Sequence, residues 1–141
     1  MLNKNTSELL EELKSCESFK KFKNENTSQI VKSNLSECLN SLLESKKMKK
    51  SDIIKASSVN DVYAYQIFSG VRIPERKKVL SILIAMKATL DEVQSLLKST
   101  GYTPLYVKNP FDCVIIYGIC NNLSVININE VLYENNLELL E

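Results

Sequence analysis

The sequence of 141 residues contains no histidine and no tryptophan, and it has only three glycines and three prolines. Without histidine, the chain lacks the usual general base, every Ser-His or Cys-His nucleophile pair and the commonest zinc ligand. The glycines stand alone at Gly70, Gly101 and Gly118, so the chain has no glycine-rich loop that could bind phosphate. We therefore expect a protein that is not an enzyme and that uses no cofactor.

The four cysteines, Cys16, Cys38, Cys113 and Cys120, do not form the C-x-x-C spacing that zinc and redox sites use. We expect no metal site and four reduced thiols that act mostly as small buried groups. No apolar run is long enough to cross a bilayer, and the N-terminal segment lacks the charged-then-apolar order of a signal peptide. The sequence therefore predicts a cytoplasmic protein with no membrane contact.

The scarcity of glycine and proline leaves too few turns for an all-β fold, whereas a hydrophobic content of 44% is enough for one core. We predict an all-α fold, a compact helical domain with N- and C-terminal helical extensions. The expected division is an N-terminal helical arm (1–34), a helix-turn-helix domain (35–100) and a C-terminal helical segment (101–141).

The centre of this domain is a predicted pair of short helices. The first, Lys50 to Ser57, has Ile53 and Ile54 on its inner face. The turn from Ser57 to Asn60 has Val59 as an apolar plug, and the Asn60 side chain is placed to cap the second helix.

The second helix of the pair is predicted from Asp61 to Ser69. Ala64 and Ile67, three residues apart, can face the first helix. Gly70 suits the left-handed end of this helix, and Pro74 suits the opening of the next one. The outward face then carries Asp61, Val62, Tyr65, Gln66 and Ser69.

The stretch from Leu35 to Met86 resembles the phage-repressor type of helix-turn-helix, the Xre or Cro-like family. The residues that carry the resemblance are Leu39, Leu42, Leu43, Ile53, Val59, Tyr63, Ile67, Gly70, Arg72, Pro74, Leu80 and Leu83. The segments GYTPLY and NPFDCVIIYG are similar to those of standalone Xre-type regulators of low-GC Gram-positive bacteria. The resemblance implies a sequence-specific regulator that binds double-stranded DNA as a homodimer, with repression as the default mode.

The charge distribution agrees with a nucleic-acid partner. Residues 35–87 carry ten Lys and Arg against five Asp and Glu, a net +5, whereas residues 88–141 carry two against seven, a net −5. Four lysines lie at the start of the helix that begins at Lys50, namely Lys46, Lys47, Lys49 and Lys50 itself. The helix dipole disfavours a cation at this end by about 0.3–1 kcal/mol for each lysine. A DNA phosphate lying across this helix end would offset the unfavourable interaction of the lysines with the helix dipole. The alternative is that these lysines only form a solvated surface.

The resulting candidate site has two sets of residues. The predicted base contacts are Asn60, Asp61, Val62, Tyr65 and Gln66, among which the Gln66 amide matches adenine and Asp61 can accept from cytosine. The predicted phosphate contacts are Lys46, Lys47, Lys49, Lys50, Ser69, Arg72, Arg76, Lys77 and Lys78.

Two departures from the family pattern support an alternative. Lys50 stands where the family commonly has glutamine, and the helix from Asp61 to Ser69 contains no Arg or Lys. The alternative function is a protein-protein interaction module that keeps the scaffold and has lost base readout, with a protein partner in place of DNA.

The N-terminal arm is predicted to contain a helix from Asn5 to Lys14, followed by Phe19 and Phe22 at helical spacing and the polar connection KNENTSQ. The arm could cover the core or bind a partner helix. We favour packing on its own domain, because an exposed pair of phenylalanines would be a liability.

The chain from Thr89 onward is predicted to form three more helices, the first running from Leu90 towards Thr100. Thr89 and Glu92 form a capping box, and Asn109 with Pro110 marks the next helix start. The apolar run from Cys113 to Ile119 fits a helix or a strand, and we favour the helix; Ser124 to Glu134 completes the set. The following apolar side chains either form a dimer interface or complete the monomer core: Val114, Ile115, Tyr117, Ile128, Val131 and Leu132.

Overall fold

The computed structural model describes residues 5–25 and 35–141, and within these ranges it shows nine α-helices and no strand. The predicted all-α class is confirmed. The chain divides into two compact units, of which the first holds α1 (Thr6–Ser15) and α2 (Phe19–Glu25). The second holds α3 (Leu35–Ser45), α4 (Lys50–Ser57), α5 (Asp61–Ser69), α6 (Arg76–Ala85), α7 (Leu90–Ser99), α8 (Pro110–Cys120) and α9 (Val125–Glu134). Among the described residues, no helix is long and apolar enough to span a membrane.

The first unit begins with a capped helix, as predicted. The Asn5 side chain accepts a hydrogen bond from the backbone N–H of Glu8 at 2.8 Å. Phe22 is buried, whereas Leu10, Leu13 and Phe19 are exposed. The packing of this arm on its own domain stays a prediction. The predicted polar connection begins inside α2, which extends to Glu25, and its remaining residues, 26–29, lie outside the described part of the chain.

The core of the second unit is organised around α6. Every residue of α6 from Val79 to Ile84 is buried, because α4 packs on one side of this helix and α9 on another. In addition, α3 packs against α5 and α8 packs against α9. The C-terminal segment 101–141 thus belongs to the same compact unit as α4 and α5.

The helix boundaries of this unit follow the predicted capping residues. Thr89 and Glu92 form the complete capping box at the start of α7. Asn109 caps α8 with Pro110 in its first turn, and Ser124 caps α9. The run from Cys113 to Ile119 is helical, as we favoured.

The role predicted for Pro74 is wrong. The next helix, α6, begins at Arg76 with Glu75 as its N-cap, so Pro74 precedes the cap instead of opening the first turn. The carbonyl oxygen of Pro74 accepts a hydrogen bond from the Tyr102 hydroxyl at 2.6 Å. Burial raises the pKa of Tyr102, with a smaller contribution from Tyr63. Pro74 therefore anchors the loop before α6 to the loop after α7.

Most of the apolar side chains of α8 and α9 complete the monomer core. Ile115, Ile128 and Leu132 are fully buried, whereas Tyr117 is 55% exposed. The end of the chain returns to this core, because Leu140 is buried and its N–H donates to Asn129 Oδ1 at 2.7 Å.

Candidate nucleic-acid interface

The predicted pair of helices and its turn are present with the predicted bounds. Ser58 ends α4 in the left-handed conformation, and the half-buried Val59 packs against the core. The Asn60 side-chain oxygen accepts a hydrogen bond from the Tyr63 N–H at 3.2 Å and caps α5. This cap holds α5 at a fixed start, and it commits the Asn60 oxygen, although we had predicted Asn60 to contact bases.

The inner and outer faces of α5 are also as predicted. Ala64 and Ile67 are fully buried, and Phe68 is buried as well. The carbonyl oxygen of Phe68 accepts a hydrogen bond from Asn40 of α3 at 2.8 Å. The opposite face is open, with Asp61, Val62, Tyr65 and Ser69 exposed and Gln66 half-buried.

The chain reverses direction immediately after α5. Gly70 has a φ of +86°, a conformation that L side chains rarely adopt. The backbone N–H groups of Val71 and Arg72 both donate to the carbonyl oxygen of Gln66, at 3.0 and 3.2 Å. This reversal carries Arg72 back alongside the helix that precedes it.

Arg72 and Lys78 supply the positive charge that the sequence of α5 lacks. The guanidinium of Arg72 donates through Nε to Gln66 Oε1 at 3.1 Å, and its central carbon lies 5.9 Å from the centroid of the Tyr63 ring. The ammonium of Lys78 lies 5.5 Å from the same centroid. Both distances fall within the range of cation–π contacts. The hydrogen bond between Arg72 and Gln66 was not predicted, because its partners face each other only after the reversal at Gly70.

Three of the four lysines predicted to contact phosphate at the start of α4 remain available for such a contact. Lys47 and Lys49 are exposed, and Lys49 is the N-cap residue but provides no side-chain cap. Lys50 is the first residue of α4, and its ammonium lies 5.2 Å from the centroid of the Phe68 ring. Within the described ranges, none of these three forms an ion pair. The unfavourable placement of cations at a helix N-terminus is thus real, with Asp52 as the acidic group of the first turn.

The assignment of Lys46 to phosphate must be corrected. Its ammonium forms an ion pair with Glu92 at 2.9 Å, and its side chain is only 20% exposed. The pKa of Glu92 is lowered, mainly by the hydrogen bond from the Thr89 backbone and to a smaller extent by the hydrogen bond from Lys46. Lys46 therefore links the end of α3 to the start of α7.

The assignment of Arg76 to phosphate must be corrected as well. Its Nη1 and Nη2 donate to the two carboxylate oxygens of Asp112 at 2.8 and 2.9 Å. The remaining contacts go to the carbonyl oxygens of Thr103 and Pro104, at 2.8 and 3.2 Å. The Asp112 side chain is only 6% exposed and also accepts from the Tyr106 N–H. Arg76 thus ties α6 to α8, and four of its five guanidinium N–H groups are used within the protein.

Two further candidates are partly engaged within the protein. The ammonium of Lys77 pairs with Glu138 at 2.8 Å, and this pair lowers the pKa of Glu138. Because the Glu138 side chain is 79% exposed, the pair can exchange with solvent ions. The Ser69 hydroxyl donates to the carbonyl oxygen of Gln66 at 3.1 Å, so its proton is already used.

No group of three or more cysteine or acidic side chains suited to a metal ion occurs in the described ranges. Comparisons with protein-family models, with curated proteins and with solved structures find no match to this chain. The candidate interface is therefore defined by α4, α5 and the cations around them.

Proposed function

We propose that this protein is a transcriptional regulator of the Xre or Cro-like type that binds double-stranded DNA sequence-specifically, as a homodimer, with repression as its default mode. The observation that carries the proposal is that cations lie on both sides of the exposed face of α5. Arg72 and Lys78 contact Tyr63, and Lys50 contacts Phe68. Tyr63 and Phe68 are five residues apart, so their side chains leave the helix in directions about 140° apart around its axis. The cations that contact these two rings therefore lie on different sides of α5.

We propose a different task for each of the two parts of this surface. Lys47, Lys49, Lys50 and Lys78 would contact phosphates, which supply most of the affinity and no sequence information. The face of α5 would enter the major groove, where hydrogen bonds and methyl contacts distinguish base pairs. The lysines at the start of α4 would then exchange an unfavourable interaction with the helix dipole for a favourable one with phosphate.

The test is a double charge reversal at the start of α4. Lys49→Glu with Lys50→Glu should weaken binding to every DNA sequence, and in a dimer it removes four phosphate contacts. The slope of log affinity against log salt should therefore become shallower by about 3.6. Acidic residues at a helix N-terminus are stabilising, so the variant should be at least as stable to urea as the wild type. Unfolding then cannot explain a loss of binding.

The matched control has the same change in net charge away from this surface. Lys98→Glu with Lys108→Glu alters two exposed lysines, one in the last turn of α7 and one in the loop before α8. We expect this control to keep nearly the whole salt dependence of the wild type. Equal binding by the wild type and the Lys49, Lys50 variant would refute the phosphate assignment.

The homodimer is proposed because one recognition helix covers too few base pairs for selective binding. A second copy about 34 Å away would reach the next turn of the major groove. Exposed side chains on α8 and α9 support an interface there, including Tyr117, Ile126 and Tyr133. Tyr117→Lys should shift the protein to monomer in sedimentation experiments and weaken binding to a two-fold symmetric site.

The second candidate function is a protein-interaction module, and the exposed apolar side chains near α5 favour it. Val62, Tyr65, Val71 and Ile73 are each between 48% and 71% exposed. Such side chains fit an apolar partner, although they also fit thymine methyl groups. If this candidate is right, Tyr65→Ala should abolish a protein complex while affinity for DNA stays unchanged.

A further inference from the structure

The contact between Arg72 and Gln66 restricts which base these side chains can recognise. The Nε–H of Arg72 donates to Gln66 Oε1 at 3.1 Å. A guanidinium group only donates hydrogen bonds, so the amide atom that faces it must be the oxygen. The amide nitrogen of Gln66 therefore points away from Arg72.

Two more contacts fix the position of Arg72. Its backbone N–H donates to the carbonyl oxygen of Gln66 at 3.2 Å, and its guanidinium lies 5.9 Å from the Tyr63 ring centroid. Tyr63 is the third residue of α5. Although Arg72 follows α5 in the sequence, its positive charge thus lies beside the first half of this helix. That half is where a recognition helix contacts base edges.

In this arrangement the nitrogen groups of the pair that have no hydrogen-bond partner are all donors. Within the described residues, the two Nη groups of Arg72 and the Nε2 group of Gln66 make no hydrogen bond. Guanine presents two acceptors in the major groove, O6 and N7, whereas adenine presents one acceptor and one donor. The hydrogen bond from Arg72 uses one of the two lone pairs of the Gln66 oxygen and fixes the orientation of the amide, so a bidentate contact to adenine would have to use the second lone pair in that orientation.

On the basis of the function proposed above, we infer that Arg72 and Gln66 form one base-reading unit that selects guanine. The two Nη groups of Arg72 donate to O6 and N7 of a guanine in each half-site. The amide nitrogen of Gln66 donates to an acceptor on the neighbouring base. Arg72 is then a specificity-determining residue instead of the phosphate contact predicted from the sequence.

The experiment is selection from a duplex library with a randomised central region, followed by sequencing and affinity measurement on the enriched DNA. The proteins are the wild type, Arg72→Lys, Gln66→Ala and the control Lys98→Gln. Arg72→Lys keeps the positive charge and loses the planar pair of donors. It should reduce the preference for guanine by about 5- to 140-fold, as expected for the loss of one bidentate base contact.

The salt dependence should remain in Arg72→Lys, as should the base preferences outside the positions read by Arg72 and Gln66, and Lys98→Gln should match the wild type throughout. Adenine enriched at this position by the wild type, or guanine retained equally by Arg72→Lys, would overturn the inference and leave DNA binding intact. Absence of any enriched sequence, together with absence of salt-dependent binding, would instead overturn the proposed function and the inference with it.

Discussion

The ion pair between Arg76 and Asp112 offers a quantitative test of which cations are structural. In Arg76→Met the apolar stem is kept and the charge is removed, which leaves a carboxylate that is only 6% exposed. Loss of one partner of a buried ion pair costs about 3–5 kcal/mol. We expect about 3 kcal/mol, at the lower end of that range. The reasons are that Arg76 itself is 25% exposed and that the Tyr106 N–H still donates to Asp112.

The assay is urea unfolding followed by circular dichroism, with Lys77→Met as the matched control. Lys77 is the next residue and pairs with an exposed glutamate, so its substitution should cost less than about 1 kcal/mol. Adding Asp112→Asn to Arg76→Met should recover part of the lost stability, because no charge is then buried. A loss below about 1 kcal/mol for Arg76→Met would refute the structural role of this pair.

Three further substitutions test other parts of the structure. Gly118→Ala should lower the free energy of unfolding by up to about 2 kcal/mol in thermal or urea unfolding, because the new methyl group overlaps the Ile128 side chain. This overlap outweighs the gain in helix propensity of about 1 kcal/mol, and unchanged stability would contradict the close packing of the two residues. The pKa of Glu92 is held below its ordinary value of 4.5, chiefly by the Thr89 backbone, so its contribution to stability is present above that pH and is lost as the pH falls through the lowered pKa. Glu92→Gln should thus make urea stability less dependent on pH on the acid side, and an unchanged pH profile would count against the hydrogen bonds that Glu92 accepts from the Thr89 backbone and from Lys46. Glu138→Gln should release Lys77 from its ion pair and tighten DNA binding in low salt. Equal affinity of the variant and the wild type would show that the released Lys77 makes no phosphate contact.

The parts of the fold that could be predicted from the sequence depend on short-range signals. Asn60, Thr89 with Glu92, and Asn109 act within one helical turn, so their spacing alone locates the helix starts. Gly70 likewise marks the end of α5 through its own backbone conformation. These boundaries required no knowledge of the tertiary structure.

The roles of the cations could not be predicted in the same way. Arg76 and Asp112 are 36 residues apart, and they meet only because α6 and α8 lie in one core. The sequence showed a basic cluster but could not separate Arg76 and Lys46, which hold helices together, from the lysines that remain exposed. The position of Pro74 was misjudged for a related reason, since its carbonyl oxygen is held by Tyr102 from a distant loop.

The measurement that tests the central claim most directly is the affinity of the wild-type protein for selected duplex DNA and for a scrambled duplex across a salt series. The four lysines proposed to contact phosphates in each protomer would give eight contacts in the proposed dimer, so we predict a log–log slope of about −7 on the selected DNA. We also predict a two-fold symmetric enriched sequence and weaker binding to the scrambled duplex. Binding that neither depends on salt nor distinguishes the two duplexes would contradict DNA recognition and favour the protein-interaction module.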